Sequence, residues 1–186
     1  MLGLGASLLR GGATLLTYVK DKLKIFYSFK DNAPDFLLDG STSFDGSDDY
    51  VSIGQPSSLD FGSGDYSMSL WVKSLVNDDI IISRYVDGSN KFVLQITSNL
   101  LLFYVKQSGT VRVNIRAALT PDDGKWYHIG TTLKNGVEGC LYIDGQKQSL
   151  STNEIASGST DISADLELAK YSSGRYKLTM ANLGFW

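Results

Sequence analysis

The sequence predicts an all-β fold, a two-sheet antiparallel jelly-roll sandwich preceded by a short N-terminal arm, and three observations carry that expectation. From residue 25 onward, apolar and aromatic runs recur every eight to twelve residues or so with turn signals between them, the spacing of a sandwich. The stretch 66–73 sets Tyr66, Met68, Leu70 and Val72 against Ser67, Ser69, Trp71 and Lys73, the period of two of a half-buried strand. Within 126–145, two β-branched and aromatic runs are separated by Asn135-Gly136, and the second stops at Asp144-Gly145. Both dipeptides favour the positive φ of tight hairpin turns, so three strands should meander across one sheet.

Taken in order, residues 1–12 are Gly-rich and apolar, too flexible to hold a helix alone. From Ala13, Leu15, Leu16, Val19 and Leu23 fall at helical spacing, with Arg10, Lys20, Asp21, Lys22 and Lys24 mostly off the stripe. Residues 1–24 therefore read as an arm with one short amphipathic helix, packed either on its own sandwich or on another chain, since exposed apolar stripes mark interaction sites. The sandwich spans 25–186. It opens with Ile25-Phe26-Tyr27-Ser28-Phe29, continues through a polar stretch to Phe36-Leu37-Leu38, and turns at Asp39-Gly40. Asp45-Gly46-Ser47-Asp48-Asp49 is an acidic turn. After 66–73 come Ile80-Ile81-Ile82, the turn Asp87-Gly88-Ser89-Asn90, the run 92–96, then 100–105, Ser108-Gly109 and 111–116. Pro121-Asp122-Asp123-Gly124-Lys125 leads into Trp126, 146–163 reads as a long polar loop or rim, and 166–169 and 176–186 close the sheet.

Several of these motifs resemble a known family. Trp126 opening a strand, the hairpin, and then Leu141-Tyr142-Ile143-Asp144-Gly145 are similar to the signature of laminin G-like and pentraxin-like domains of the concanavalin A-like lectin/glucanase superfamily. Ser43-Phe44-Asp45-Gly46 with Asp49-Tyr50-Val51, Met68-Ser69-Leu70-Trp71-Val72-Lys73 and the opening strand resemble further segments of that family, in its order. The resemblance implies a sandwich. It does not imply one function, because this fold hosts lectins, glycosidases, adhesion modules and structural domains. Where the family carries Gly-x-x-Asp in its last strand, this sequence has Met180-Ala181-Asn182-Leu183-Gly184, so no role passes to an Asp there.

Composition narrows the classes. A sandwich of about 160 residues buries roughly 70% of the unfolded chain's surface and needs no disulfide or metal to fold. Cys140 is the single cysteine, which excludes an internal disulfide, and in a strand it reads as a small buried side chain. The net charge of −3, with the signs interspersed, argues against a nucleic-acid partner. No apolar run approaches the ~18 residues of a membrane span. The first positive charge, Arg10, follows the first apolar stretch instead of preceding it, unlike a secretory signal. Such sandwiches mostly work outside cells. A virion component made in the host cytoplasm and released by lysis reconciles the two, and the virion surface is the expected location, with an extracellular lectin as the alternative.

Chemistry points to binding. Glucanases of the superfamily carry Glu-x-Asp-x-x-Glu on one strand, two of whose carboxylates flank the glycosidic bond. Here the nearest run, Asp165-Leu166-Glu167, lacks the third acid, and His128 is the only histidine. The expectation is no enzyme and no catalytic residue. Sugar sites pair an aromatic face with planar hydrogen-bonding groups, and Arg112, Asn114 and Arg116 on one face of a strand, with Tyr104 on the preceding one, offer such a set. The same alternation also describes an ordinary solvated face. At the loop rim, Asp45, Asp48 and Asp87, with Asn90 and Tyr85 or Tyr171, present hard oxygens of the type that hold calcium; the bland reading is a solvated turn bonding its own backbone. No cofactor is required. The expected partners are other assembly proteins through Leu15, Leu16, Val19 and Leu23, and host glycans on the sandwich.

Overall fold

A computed structural model describes residues 25–27, 41–73, 75–122 and 124–186. The arm and the stripe Leu15, Leu16, Val19 and Leu23 lie outside the described residues, as does Phe36-Leu37-Leu38. The strands are β1 Ile25–Tyr27, β2 Thr42–Asp45, β3 Val51–Ser52, β4 Tyr66–Lys73, β5 Ile80–Asp87, β6 Asn90–Thr97, β7 Leu100–Gln107 and β8 Thr110–Ala118. They continue with β9 Trp126–Lys134, β10 Glu138–Ile143, β11 Gln146–Lys147, β12 Leu150–Ile155, β13 Glu167–Leu168, β14 Lys170–Tyr171, β15 Gly174–Arg175 and β16 Lys177–Phe185. Among the described residues the only helical element is the 3₁₀ turn Ser57–Leu59.

The strands form two seven-stranded antiparallel sheets. The first runs β1-β16-β4-β9-β10-β11, with β2 also on β16; the second runs β12-β8-β7-β6-β5-β13-β3; β14 and β15 form a separate ribbon. The meander expected from 126–145 is present as β9-β10-β11. Asp144 and Gly145 both take positive φ, 51° and 78°, the two-residue turn whose twist matches the flanking strands. At the other dipeptide only Gly136 does, at 71°, and the reason is tertiary: the Asn135 amide donates to the Gly158 carbonyl at 2.8 Å and its oxygen accepts the Gly158 N–H at 3.0 Å. A Cβ on Gly136 would stand 2.7 Å from that of Ser157.

Alternation decides what faces inward. In β4, Tyr66, Met68, Leu70 and Val72 are buried, their neighbours half-buried. They meet Phe92, Leu94 and Ile96 of β6, Leu101, Phe103 and Val105 of β7, and Val113, Ile115 and Ala117 of β8 in one core. Cys140 is buried, and its thiol donates to Glu138 Oε1.

The polar loop expected at 146–163 is corrected in part. Leu150–Ile155 pairs with β8 as the edge strand β12. Its sequence, Leu-Ser-Thr-Asn-Glu-Ile, is apolar only at the ends because one edge and one face meet water, and edge strands resist aggregation by being polar.

In the β4–β5 loop, Asp79 is buried with its Oδ2 accepting the Val76 N–H at 2.7 Å. Burial pushes its carboxyl up to about 6, outweighing that hydrogen bond, and nearby Asp78 pushes the same way. The folded state thus holds this proton more tightly than the unfolded chain, whose carboxylate titrates near 3.9. The associated stability is complete below pH ~4 and is lost as pH rises through about 6. The melting temperature should therefore fall between pH 4 and pH 7, and Asp79→Asn, which keeps the acceptor oxygen, should flatten that slope.

Candidate functional site

Because Val113, Ile115 and Ala117 point into the core, Arg112, Asn114 and Arg116 point out of the second sheet. Tyr104 on β7 sits directly opposite Asn114 on β8, and Glu154 on β12 lies opposite it on the other side. The three make a row across the sheet. The Asn114 amide donates to Glu154 Oε2 at 2.8 Å, and its oxygen accepts from Arg116 Nε at 3.2 Å. One carboxamide thus joins a guanidinium to a carboxylate, holding both beside an aromatic ring. The Tyr104 phenol is pushed up by burial and by the Glu154 carboxylate, against a downward pull from Arg116. Lys91 lies over its ring, 5.4 Å from the centroid.

Arg112 is used differently. Its Nη1 donates to the Ser157 carbonyl at 2.6 Å, and a Cβ on Gly158 would come within 2.7 Å of the same nitrogen. It straps the segment after β12 to β8. Glu154, which sequence reasoning missed, takes a place in the site because 150–155 is a strand. The aromatic surface also extends toward the β14–β15 ribbon. The Tyr85 and Tyr171 rings are 4.5 Å apart, and Tyr171 is pushed up to about 12 by burial first, then by Tyr85, Tyr176 and Tyr104. Lys170 and Arg175 flank Tyr50 at 4.2 and 4.4 Å from its ring centroid.

At the rim, Asp45 and Asp48 converge, but with Asp49 in place of Asp87: ligand atoms of the three lie within 4.8 Å of one another, all exposed. Asp45 Oδ1 also accepts the Ser47 N–H at 2.7 Å. Asp87 is tied into its own turn, its Oδ1 accepting the Ser89 and Asn90 N–H groups at 2.7 and 2.8 Å, which hold its carboxyl below the ordinary range. Asn90 in turn accepts the Ser108 N–H at 2.9 Å, joining two hairpin turns. Carboxylate oxygens suit calcium, yet three from a single turn fall short of the six to eight ligands, roughly, that the ion takes.

The carboxylates considered for hydrolysis are engaged elsewhere. Asp165 accepts from Ser52 Oγ at 3.0 Å and Gln55 Nε2 at 3.2 Å, and Glu167 pairs with Lys170. His128 packs against Trp71 with ring centroids 5.1 Å apart, and burial lowers its pKa against an upward pull from Asp144. Among the described residues, no helix is long and apolar enough to cross a membrane.

An antiparallel two-sheet sandwich of this topology defines a class, the lectin-like folds. The family model for the concanavalin A-like lectin/glucanases superfamily, in its laminin G form, matches residues 45–176, most of the chain, and the chain belongs to that superfamily. A search of the curated proteins found no match. Among solved structures it is similar to domains LG4-5 of the mouse laminin alpha1 chain, with 18% identity and a TM-score of 0.60 over 78% of this chain and 40% of that one. The receptor-binding domain of botulinum neurotoxin C/D mosaic serotype has 12% identity and a TM-score of 0.67 over 89% of this chain and 48% of that one. Domain 4 of an extracellular GH43 arabinanase from Geobacillus stearothermophilus, solved with arabinotriose, has 17% identity and a TM-score of 0.57 over 88% and 91%. The chain thus spans less than half of the laminin and neurotoxin structures. At these identities the likeness is one of fold.

Proposed function

We propose that this protein is a non-enzymatic, lectin-like glycan-binding module whose ligand lies on the outer face of the second sheet. The observation that carries the reading is the Asn114 row, in which Arg116, Asn114 and Glu154 are pre-bonded beside Tyr104. Groups already held in place lose little freedom when a sugar arrives. The carboxylates of Asp165 and Glu167, each engaged in the fold, support a role without hydrolysis. A ligand solved on the similar arabinanase domain is in keeping with a sugar, and the neurotoxin likeness with receptor attachment.

The test is a glycan array read with and without chelator, followed by titration of the strongest hit. Tyr104→Ala and Arg116→Ala should each weaken binding about tenfold, the loss of one stacked ring or one charged hydrogen bond. Asp45→Asn should leave it unchanged. Silence across the array under both conditions would remove the reading. Binding abolished by chelator and by Asp45→Asn would instead move the ligand to the Asp45, Asp48 and Asp49 turn, with calcium as cofactor.

A finer form of this reading is a virion structural protein that displays the sandwich at the particle surface for host adhesion, anchored through residues 1–24. The helical spacing of Leu15, Leu16, Val19 and Leu23 favours it over a free lectin. Co-sedimentation of the native protein with a capsid-sized particle is its test, and migration as a free species of about 20 kDa or a small oligomer would discard it.

A further inference from the structure

The opposite face of the sandwich carries a groove of its own. On the outer side of the first sheet, Gly184 of β16 stands opposite Ser69 of β4, Ser69 opposite Gly130 of β9, and Gly130 opposite Tyr142 of β10. The next row toward one side is aromatic, Trp71 opposite His128. The row on the other side bears hydroxyls, Ser67 opposite Thr132. Trp186 extends β16 by exchanging both backbone hydrogen bonds with Ser67, at 3.0 and 3.1 Å, and its ring folds back over Gly184, where a Cβ would lie 2.6 Å from it. A trough thus runs across the strands with aromatic side chains at its two ends, Trp186 at one and Tyr142 at the other. Its volume is about 260 Å³, with Ser67, Ser69, His128 and Thr132 along its sides.

Gly130 is what keeps the trough open. A Cβ there would meet Tyr142 Cβ at 3.5 Å, the Tyr142 ring carbon Cδ2 at 3.9 Å and the Met68 carbonyl at 3.9 Å, ordinary contacts, and its φ is not positive. Neither crowding nor backbone conformation requires glycine at that position. Glycine in a strand interior weakens the strand and often marks a place where a ligand approaches the backbone.

The lining selects the occupant. None of the lining side chains is Asp, Glu, Lys or Arg. Burial lowers the His128 pKa and so favours the uncharged imidazole, and Asp144 at the margin is paired with Lys125 at 3.4 Å. No acidic or basic side chain of the lining offers a counter-charge to an ionic ligand. The volume lies just below the ~300 Å³ at which pockets for drug-sized ligands begin, room for one ring. Aromatic rings at both ends and hydroxyls along the sides match a ring with C–H faces and a hydroxylated edge. We infer that this trough is a second subsite, for a single neutral pyranose ring, stacked against Tyr142 and Trp186 with its hydroxyls toward Ser69, Thr132 and His128. It stands independently of the Asn114 row on the other sheet. A module with both sites can hold two glycan branches at once and gain avidity without any new contact.

The test uses the full chain, isotope-labelled for NMR and titrated with the methyl pyranosides of glucose, galactose, mannose and N-acetylglucosamine. At least one sugar should shift the Gly130 amide and the Trp186 indole signals together. Gly130→Val, which fills the trough with a strand-favouring residue, should weaken that binding at least tenfold, and so should Tyr142→Ala on the neighbouring strand. Tyr104→Ala should leave it within twofold, which separates this site from the one on the opposite sheet. No response of Gly130 and Trp186 to any of the four sugars would overturn the inference. Affinity within twofold of the parent in both Gly130→Val and Tyr142→Ala would do the same, as would nuclear Overhauser contacts from residues 1–24 to Gly130, which would make the chain's own arm the occupant.

Discussion

Replacing Phe103 by alanine should lower the free energy of unfolding by about 4 kcal/mol, the cost of removing a large aromatic from a packed core. Phe103 is fully buried on β7, its ring edge-on to Phe92 at 5.1 Å and to Tyr66 at 6.4 Å between centroids. It therefore joins β6 and β7 of one sheet to β4 of the other. Deleting it opens a cavity at the contact between the sheets and removes two aromatic pairs. Urea denaturation should show a lower midpoint with an unchanged slope, since the native and unfolded surfaces hardly differ. The control is Val137→Ala at an exposed turn position, expected within ±0.5 kcal/mol or so of the parent. A Phe103→Ala loss no larger than about 1 kcal/mol would mean that the sheets are not packed through this ring.

Arg84→Met should cost about 3 kcal/mol although methionine keeps an unbranched apolar stem in place of the arginine methylenes. Arg84 points inward from β5 at 5% exposure, and its guanidinium donates to the Ala164 carbonyl at 3.0 Å and the Leu59 carbonyl at 3.2 Å. Those carbonyls belong to the segment before β13 and to the 3₁₀ turn, so one side chain fastens two connections to the second sheet. Methionine leaves both acceptors without this donor, at roughly 1–3 kcal/mol each. Lys at this position reaches one carbonyl at best and should recover about half of the loss, because it lacks the planar fork. The ion pair to Asp60, at 3.6 Å, contributes little since Asp60 is exposed, and Asp60→Asn should cost under about 1 kcal/mol. Denaturation of the three variants side by side distinguishes a carbonyl clamp from a salt bridge. Equal losses in Arg84→Met and Asp60→Asn would reverse the assignment.

Arg84 also shows where reading a sequence stops. In a run of Ile80, Ile81, Ile82, Ser83 and Arg84, an arginine marks the end of burial by any rule of composition, yet it lies in the interior because backbone carbonyls distant in sequence converge on it. Arg112, a candidate for ligand binding in the sequence, is occupied by the Ser157 carbonyl for the same kind of reason. Glu154 went the other way. Its segment carries no alternation, because an edge strand has one face and one edge in water, so only the pairing with β8 brings it beside Asn114. Asp87 and Asp48 look alike in sequence, and the structure parts them by giving Asp87 two backbone N–H partners.

Local rules were sufficient for whatever depends on periods and turns. The alternation of 66–73, the Asp144-Gly145 turn, the β9-β10-β11 meander and the inward sets of β4, β6, β7 and β8 follow from a side-chain period of two and from residues that tolerate positive φ. These are properties of neighbours along the chain, so one sequence, read locally, determines them. The superfamily was legible for the same reason, since its motifs are strands and turns in order. The Asn114 row, the strap at Arg112, the clamp at Arg84 and the trough floored by Gly130 each join strands that lie far apart in sequence. Register between such strands is chosen by the burial of both sheets together, a condition that no local window contains, and only the tertiary structure decided it.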